Sequence, residues 1–353
     1  MADDKHGAVR AEDAFDVARV DAWLKARLDR LAGLDGDPVV TQFSGGASNL
    51  TYLLRYPGAE LILRRPPAGR KASSAHDMAR EYRVQKQLKP VFDYVPTMRA
   101  LCQDPEVIGG DFYVMDRVPG LILRGHLPEG MTLDPARARR LSETYVDTLV
   151  ELHRVDPAAA GLDGLGKGAG YVRRQVEGWT RRYADARTDN VPAFQDVTAW
   201  LAANQPDDVA TCVIHNDWRL DNIVLSEADL SVRGVLDWEL ATLGDPLMDL
   251  GSALAYWVQA DDDDMVRANR HQPSDLPGML TRAEIVARYC DRTGLAAGGW
   301  AFYEVFGMFR LAGIAQQIYY RYHHGQTQNP AFKDLWLAVA YLEHRCRTAI
   351  STA

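Results

Sequence analysis

The sequence predicts an α+β protein of two lobes, a small mixed α/β N-lobe and a larger, mainly helical C-lobe. Three observations carry this. Short strand-like runs around a Pro57-Gly58 turn lie in the first third of the chain. After Pro119-Gly120 the apolar residues take up helical spacing. Two short apolar runs, Cys212–Ile214 and Val232–Leu236, interrupt that helical pattern and lead into acidic residues. The lobes are expected to cover 1–117 and 118–353.

Taken in order, residues 13–32 read as an amphipathic helix, because Val20, Trp23, Leu24, Leu28 and Leu31 recur mostly at three- and four-residue steps. Gly33 and Gly36 are expected to end it. Thr51–Tyr56 and Leu61–Leu63 flank Pro57-Gly58 and read as a hairpin. Residues 75–89 look helical and stop at Pro90, and Phe112–Met115 is a further short strand. In the C-terminal part helical patterns cover 134–155, 171–187 and 192–203, then 247–258, 281–293, 299–322 and 331–350. Asp261–Asp264 is a four-acid run that reads as a solvated loop or helix end, since adjacent like charges prefer water.

The composition is that of an ordinary globular chain: 353 residues, 47% hydrophobic and 25% charged, which suffices for sizeable cores. A net charge of −8 argues against nucleic acid as the main partner, because phosphate backbones select basic surfaces. Cys102, Cys212, Cys290 and Cys346 are scattered without a CxxC pair. That argues against thiolate zinc and suits a reducing cytoplasm. The first fifteen residues are polar and lack the apolar core of a secretory signal. No apolar run reaches the ~18 residues of a membrane span, so no membrane partner is expected.

The most informative stretch is His215-Asn216-Asp217-Trp218-Arg219-Leu220-Asp221-Asn222, set between the apolar runs Cys212–Ile214 and Ile223–Leu225. On such a loop a carboxylate and a carboxamide five residues apart can converge on one point. Asp217 could take a proton from a substrate hydroxyl, and Asn222 could offer its carbonyl oxygen to Mg2+, which prefers hard oxygen ligands. Asp237, in Leu236-Asp237-Trp238-Glu239, ends a second apolar run and would supply another ligand if Ile223–Leu225 and Val232–Leu236 pair. Either piece alone also fits a turn or a helix cap. Together, in this order, they point to phosphoryl transfer.

HNDWRLDN and LDWELATLGDPLMDLG resemble the catalytic and metal-binding motifs of the aminoglycoside phosphotransferase and choline kinase family, over residues 40 to 260. The resemblance implies a bilobal protein-kinase-like fold with ATP in the cleft. It assigns Asp217 as catalytic base, Asn222 and Asp237 as Mg2+ ligands, and His215 as a support of loop geometry. Asp245 and Asp249 match recurring acidic positions whose expected work is helix capping and loop bracing. In the N-lobe, Ser44, Gly45, Gly46, Ser48 and Asn49 match a phosphate-binding loop, although a plain turn fits the same pattern. Arg64 stands where the commonest pattern has lysine, as in choline kinases, and Glu81 matches its partner. A surface i,i+4 pair is the alternative for Glu81. Phe112–Val118 resembles the inter-lobe hinge, with adenine bonded near Met115 and Val118. Trp218 and Trp238 are expected to pack near the loops.

The implied partner is a small molecule with a hydroxyl group, lined by candidates Tyr256, Trp257, Tyr319, Tyr320, Arg321 and His323, which also fit core or surface positions. FSGGASNLTYLL, LILRRPPAGR and SAHDMAREYRV resemble the kinase-like portions fused to certain large acyl-CoA dehydrogenases. That subgroup implies a hydroxyacyl or hydroxyacyl-CoA acceptor. The alternatives are a catalytically weak nucleotide- or metabolite-binding module and an antibiotic kinase. The sequence leaves the choice of ATP over GTP and the oligomeric state open.

Overall fold

A computed structural model describes residues 6–28, 31–43, 49–67 and 77–353. Ser44, Gly45, Gly46 and Ser48 lie outside the described residues. The N-terminal part is an antiparallel sheet ordered β1-β2-β3-β4-β6-β5. Its strands are β1 (His6–Gly7), β2 (Val39–Phe43), β3 (Leu50–Arg55), β4 (Glu60–Arg65), β5 (Met98–Cys102) and β6 (Phe112–Asp116). The expected hairpin is β3–β4, with Leu53 opposite Ile62 and Arg55 opposite Glu60. Its turn seats on Gly33: the Gly58 N–H donates to Gly33 O at 3.2 Å. A Cβ on Gly33 would lie 2.5 Å from Gly58 C, so only glycine permits that approach.

Alternation along the strands divides the apolar residues between two faces. Tyr52, Leu54, Leu61, Leu63, Phe112 and Val114 join Val20, Trp23 and Leu24 of α1 (Val17–Arg27) in one core. Leu53, Ile62, Tyr113 and Met115 join Met78 of α2 (Met78–Leu88) in another. Helix α1 is shorter than the expected 13–32. Asp16 caps it by accepting from Arg19 N, and Leu28 leaves helical geometry at φ −112°. Leu28 and Leu31 still pack on the same core, which is why they extend the apolar period beyond the helix.

The C-terminal part is mainly helical: after short α3 (Pro105–Ile108) come α4 (Pro135–His153), α5 (Tyr171–Ala186), α6 (Gln195–Ala203), α7 (Pro246–Leu254), α8 (Asp264–Ala268), α9 (Arg282–Thr293), α10 (Trp300–His323) and α11 (Leu335–Ser351). Small ladders are set among them. β7 (Leu121–Ile122), β9 (Ile223–Leu225) and β10 (Val232–Val235) form one, and β8 (Cys212–Ile214) pairs with β11 (Thr242–Gly244) in another. The main core joins α4, α5, α7, α9, α10 and α11 and takes in Val84, Leu88, Phe92 and Val95 from the N-terminal side. The four-acid run is a solvated helix end, as expected, with Asp261, Asp263 and Asp264 exposed and Asp262 alone drawn in. Asp262 pairs with Arg282 at 2.7 Å with its side chain only 10% exposed, while Asp263 caps α8. No described helix is long and apolar enough to cross a membrane.

Candidate active site

The loop from β8 to β9 is held from below by one carboxylate. Asp249, fully buried on α7, accepts from the His215 and Asn216 amides at 2.8 Å each and lies 3.1 Å from His153 Nε2. Burial alone would raise the Asp249 pKa, but His153, His215 and the loop amides hold it below the usual carboxylate range. Asp245 caps α7 through the Leu247 and Met248 amides and also takes the Val209 amide at 2.7 Å. Both acids therefore brace the structure around the loop.

His215 is wholly buried between Trp218 and Trp238, with ring centroids 5.7 and 4.8 Å away. Its Nδ1 accepts from the Asp217 amide at 3.2 Å, and its Nε2 donates to Leu236 O at 2.9 Å. One imidazole thus ties the Asp217 loop to the turn carrying Asp237. A second tie is the Leu236 N–H, which donates to Asn222 O at 2.8 Å where β9 and β10 pair. Asn216 and Asp237 both sit at φ 65°, a left-handed conformation that Asn and Asp tolerate better than other residues with side chains.

Within this frame Asn222 Nδ2 donates to Asp217 O at 2.9 Å and to Asp217 Oδ2 at 2.8 Å. That commits the amide nitrogen and leaves its carbonyl oxygen available. Asp237 Oδ1 accepts from Arg64 Nη2 at 3.1 Å, while Arg64 Nη1 holds Glu81 Oε1 at 2.7 Å. Tyr113 also donates to Glu81 Oε1, at 2.8 Å. Glu81 is 2% exposed, so it is a buried partner of Arg64 and not a surface pair. Burial works against the Arg64 charge, but Glu81 and Asp237 raise its pKa well above the usual guanidinium value.

Asn222 and Asp237 offer hard oxygens fit for a divalent cation. Among the described residues no three His, Cys, Asp or Glu side chains form a metal cage. A cation here would draw its other ligands from phosphate oxygens and water, the habit of Mg2+. Of the N-lobe candidates, Asn49 is described, and its Nδ2 donates to Glu239 Oε2 at 3.1 Å. Met115 is buried on β6 opposite Ile62. The next amides are taken, Asp116 by Thr97 O and Arg117 by Glu60 O, whereas the Val118 N–H has no backbone acceptor among the described residues.

Further contributors had no role assigned from the sequence. Arg80 reaches from α2 to Glu239 O at 3.1 Å and to Ala241 O. Arg219 pairs with both Asp217 and Asp221, at 3.2 and 3.3 Å, and lies 4.9 Å from the Tyr256 ring. Burial, more than the neighbouring Arg219, lowers the His271 pKa nearby. Arg219 lies inside HNDWRLDN and was visible; Arg80 acts across 159 positions and carried no local signal. Of the acceptor-side candidates only Tyr256 lies beside the loop. Trp257 is core, its Nε1 bonded to Leu280 O, and Tyr319 meets Asn190. A separate hollow lined by Tyr82, Lys86, Pro90 and Ala160 contains none of the candidate catalytic residues.

Residues 39–285 match the phosphotransferase enzyme family. The chain is 35% identical over 326 residues to acyl-CoA dehydrogenase family member 11 of Rattus norvegicus, covering 91% of this chain and 41% of that one. It thus spans less than half the length of the acyl-CoA dehydrogenase family members it matches. A crystal structure from Ralstonia eutropha, provisionally described as an aminoglycoside phosphotransferase, is 32% identical. It superposes with a TM-score of 0.82 over 96% of this chain and 99% of that one. Choline kinase of Cryptosporidium parvum, at 9% identity, has a TM-score of 0.64 over 96% of each chain and shares the fold alone.

Proposed function

The chain belongs to the phosphotransferase enzyme family, and from that premise we propose that it transfers the γ-phosphoryl group of ATP to a hydroxyl of a small molecule, with Mg2+ as cofactor. The observation that carries this reading is the pairing of Asp217 with Asn222 on a loop that His215 and Leu236 tie to the turn carrying Asp237, with Arg64 reaching Asp237 from the opposite lobe. Asn222 and Asp237 would hold Mg2+, whose positive charge would offset the negative charge that builds up during transfer.

The remaining work falls to the chain's own residues. Arg64, fixed by Glu81, presents a guanidinium toward the phosphates. Asp217 has its Oδ2 oriented by Asn222 and is 19% exposed, so it can take the proton of an incoming hydroxyl. Holding that oxygen against the phosphorus would be the second task of Asp217, since positioning of this kind is the larger part of phosphoryl-transfer catalysis. The Val118 N–H, which has no backbone acceptor among the described residues, would bond an adenine ring, and Asn49 would lie on the phosphate side.

For the acceptor we favour a hydroxyacyl or hydroxyacyl-CoA compound. The likeness to acyl-CoA dehydrogenase family members supports that choice. The four unpaired cysteines agree with action in the cytoplasm. The test is a screen with γ-labelled ATP and Mg2+ over hydroxyacyl-CoAs, hydroxy acids, amino alcohols and antibiotics. Labelled phosphate is expected on one hydroxylated class. ATP bound but never transferred to any acceptor would leave a binding module instead.

A further inference from the structure

Arg310, on α10, is 7% exposed, and among the described residues no carboxylate pairs with it. Its Nη2 donates to Asn216 O at 2.8 Å, one residue before Asp217. The other cations at this loop are neutralised, Arg64 by Glu81 and Asp237, and Arg219 by Asp217 and Asp221. Arg310 lies 5.5 Å from the Trp179 ring centre, and Arg182 lies 4.1 Å from the same ring. Arg182 is exposed and also lacks a carboxylate partner among the described residues. Two uncompensated guanidinium groups thus share one indole beside the catalytic loop.

The placement is specific. Trp179 rests on bare helix backbone: a Cβ on Gly313 would come within 2.9 Å of its ring. The Tyr171 hydroxyl donates to Asn216 Oδ1 at 3.1 Å, which fixes the same segment from α5. The charge of Arg310 is felt at Tyr171 and at Tyr256, the residue beside Arg219 and Asp217. Arg310 is thus close enough to Tyr256 to act on a group bound beside Asp217. Although Arg182 is exposed overall, partial desolvation of its guanidinium, then Arg310 and Arg181, lowers its pKa, the direction expected for cations crowded without a counter-ion. Burying a charge without a partner is unfavourable, and a bound anion would relieve it.

We propose that Arg310 and Arg182, with the Trp179 ring they share, form a binding site for an anionic group of the acceptor, phosphate or carboxylate, and so seat its hydroxyl at Asp217. This rests on the kinase reading above. It also disfavours a polycationic acceptor, which would meet like charge at the loop.

The test is calorimetry on the full chain saturated with Mg2+ and ADP, so that the nucleotide site is filled. Coenzyme A probes for a phosphate-bearing acceptor and 3-hydroxybutyrate for a free carboxylate. Wild type is expected to bind at least one of them, more weakly as salt rises. Arg310→Met and Arg182→Glu should each weaken that affinity tenfold or more, with ADP affinity unchanged. If Arg310→Met does not fold, the exposed Arg182→Glu decides alone. Wild type binding neither probe, or Arg182→Glu binding as well as wild type, overturns the proposal. Bracing of the loop by Arg310 alone would lower kcat and leave the anion affinity untouched. Failure of wild type to bind Mg2+ and ADP would instead sink the kinase reading.

Discussion

Arg64 spans two acids, and its removal should be felt in both stability and binding. Arg64→Met leaves Glu81 buried without its counter-charge, at an expected cost of about 3–5 kcal/mol, measurable by urea unfolding. Arg64→Lys keeps the charge but cannot present a planar fork to Glu81 and Asp237 together. It should lose less stability and weaken nucleotide affinity. Asp249 gives the pH prediction. Its folded pKa is depressed, so its stabilisation is fully present above about pH 4 and is lost as pH falls through the depressed value. Asp249→Asn should flatten that acid limb of the stability profile. It also turns an N–H toward the loop amides, at about 1–3 kcal/mol. The contacts of Asp217 with Asn222 and of Arg64 with Glu81 were legible because each residue lies in a short motif with a chemical reason for its spacing. Arg80 and Arg310 were not, because their partners are main-chain oxygens distant in sequence.

Helices α7 and α10 meet through glycines. A Cβ on Gly307 would lie 2.2 Å from Gly251 O, and one on Gly251 would lie 2.5 Å from Tyr303 O. Gly307→Ala must push the helices apart, at about 1–3 kcal/mol. Because α7 carries Asp249, the catalytic loop should shift with it, and kcat should fall at temperatures where the variant is still folded. Helix α10 itself was plain from the sequence, as 299–322 against the observed Trp300–His323. Periodicity over many residues announces a helix, and Pro57-Gly58 announces its hairpin. Strands β2, β5 and β11 went unseen: Thr242-Leu243-Gly244 is not the continuous apolar run that Cys212–Ile214 is, Gln42 breaks the apolar run of β2, and Arg99 breaks that of β5. The pairing of β8 with β11 instead of β9 follows from the distance at which Gly244 meets Cys212, which no local pattern encodes.

Across the whole molecule, the two lobes are joined over the site by polar contacts from three N-terminal elements. Asn49, just before β3, Arg64 of β4 and Arg80 of α2 all bond within the stretch Asp237–Ala241. A nucleotide held between these elements should stabilise the fold by mass action, by about 2.7 kcal/mol at a hundred times Kd. Thermal melts with ATP and Mg2+ together should show the larger rise in Tm, with a smaller rise for ATP alone. Asp237→Asn should reduce the difference between them. The measurement that bears most directly on the site is a paired one on Asp217→Ala. Label transfer from ATP to the acceptor should fall at least a thousandfold, roughly 4 kcal/mol or more in barrier, while calorimetry gives the wild-type affinity for ADP with Mg2+. Turnover near wild type in that variant would contradict the assignment of Asp217 and the site built around it.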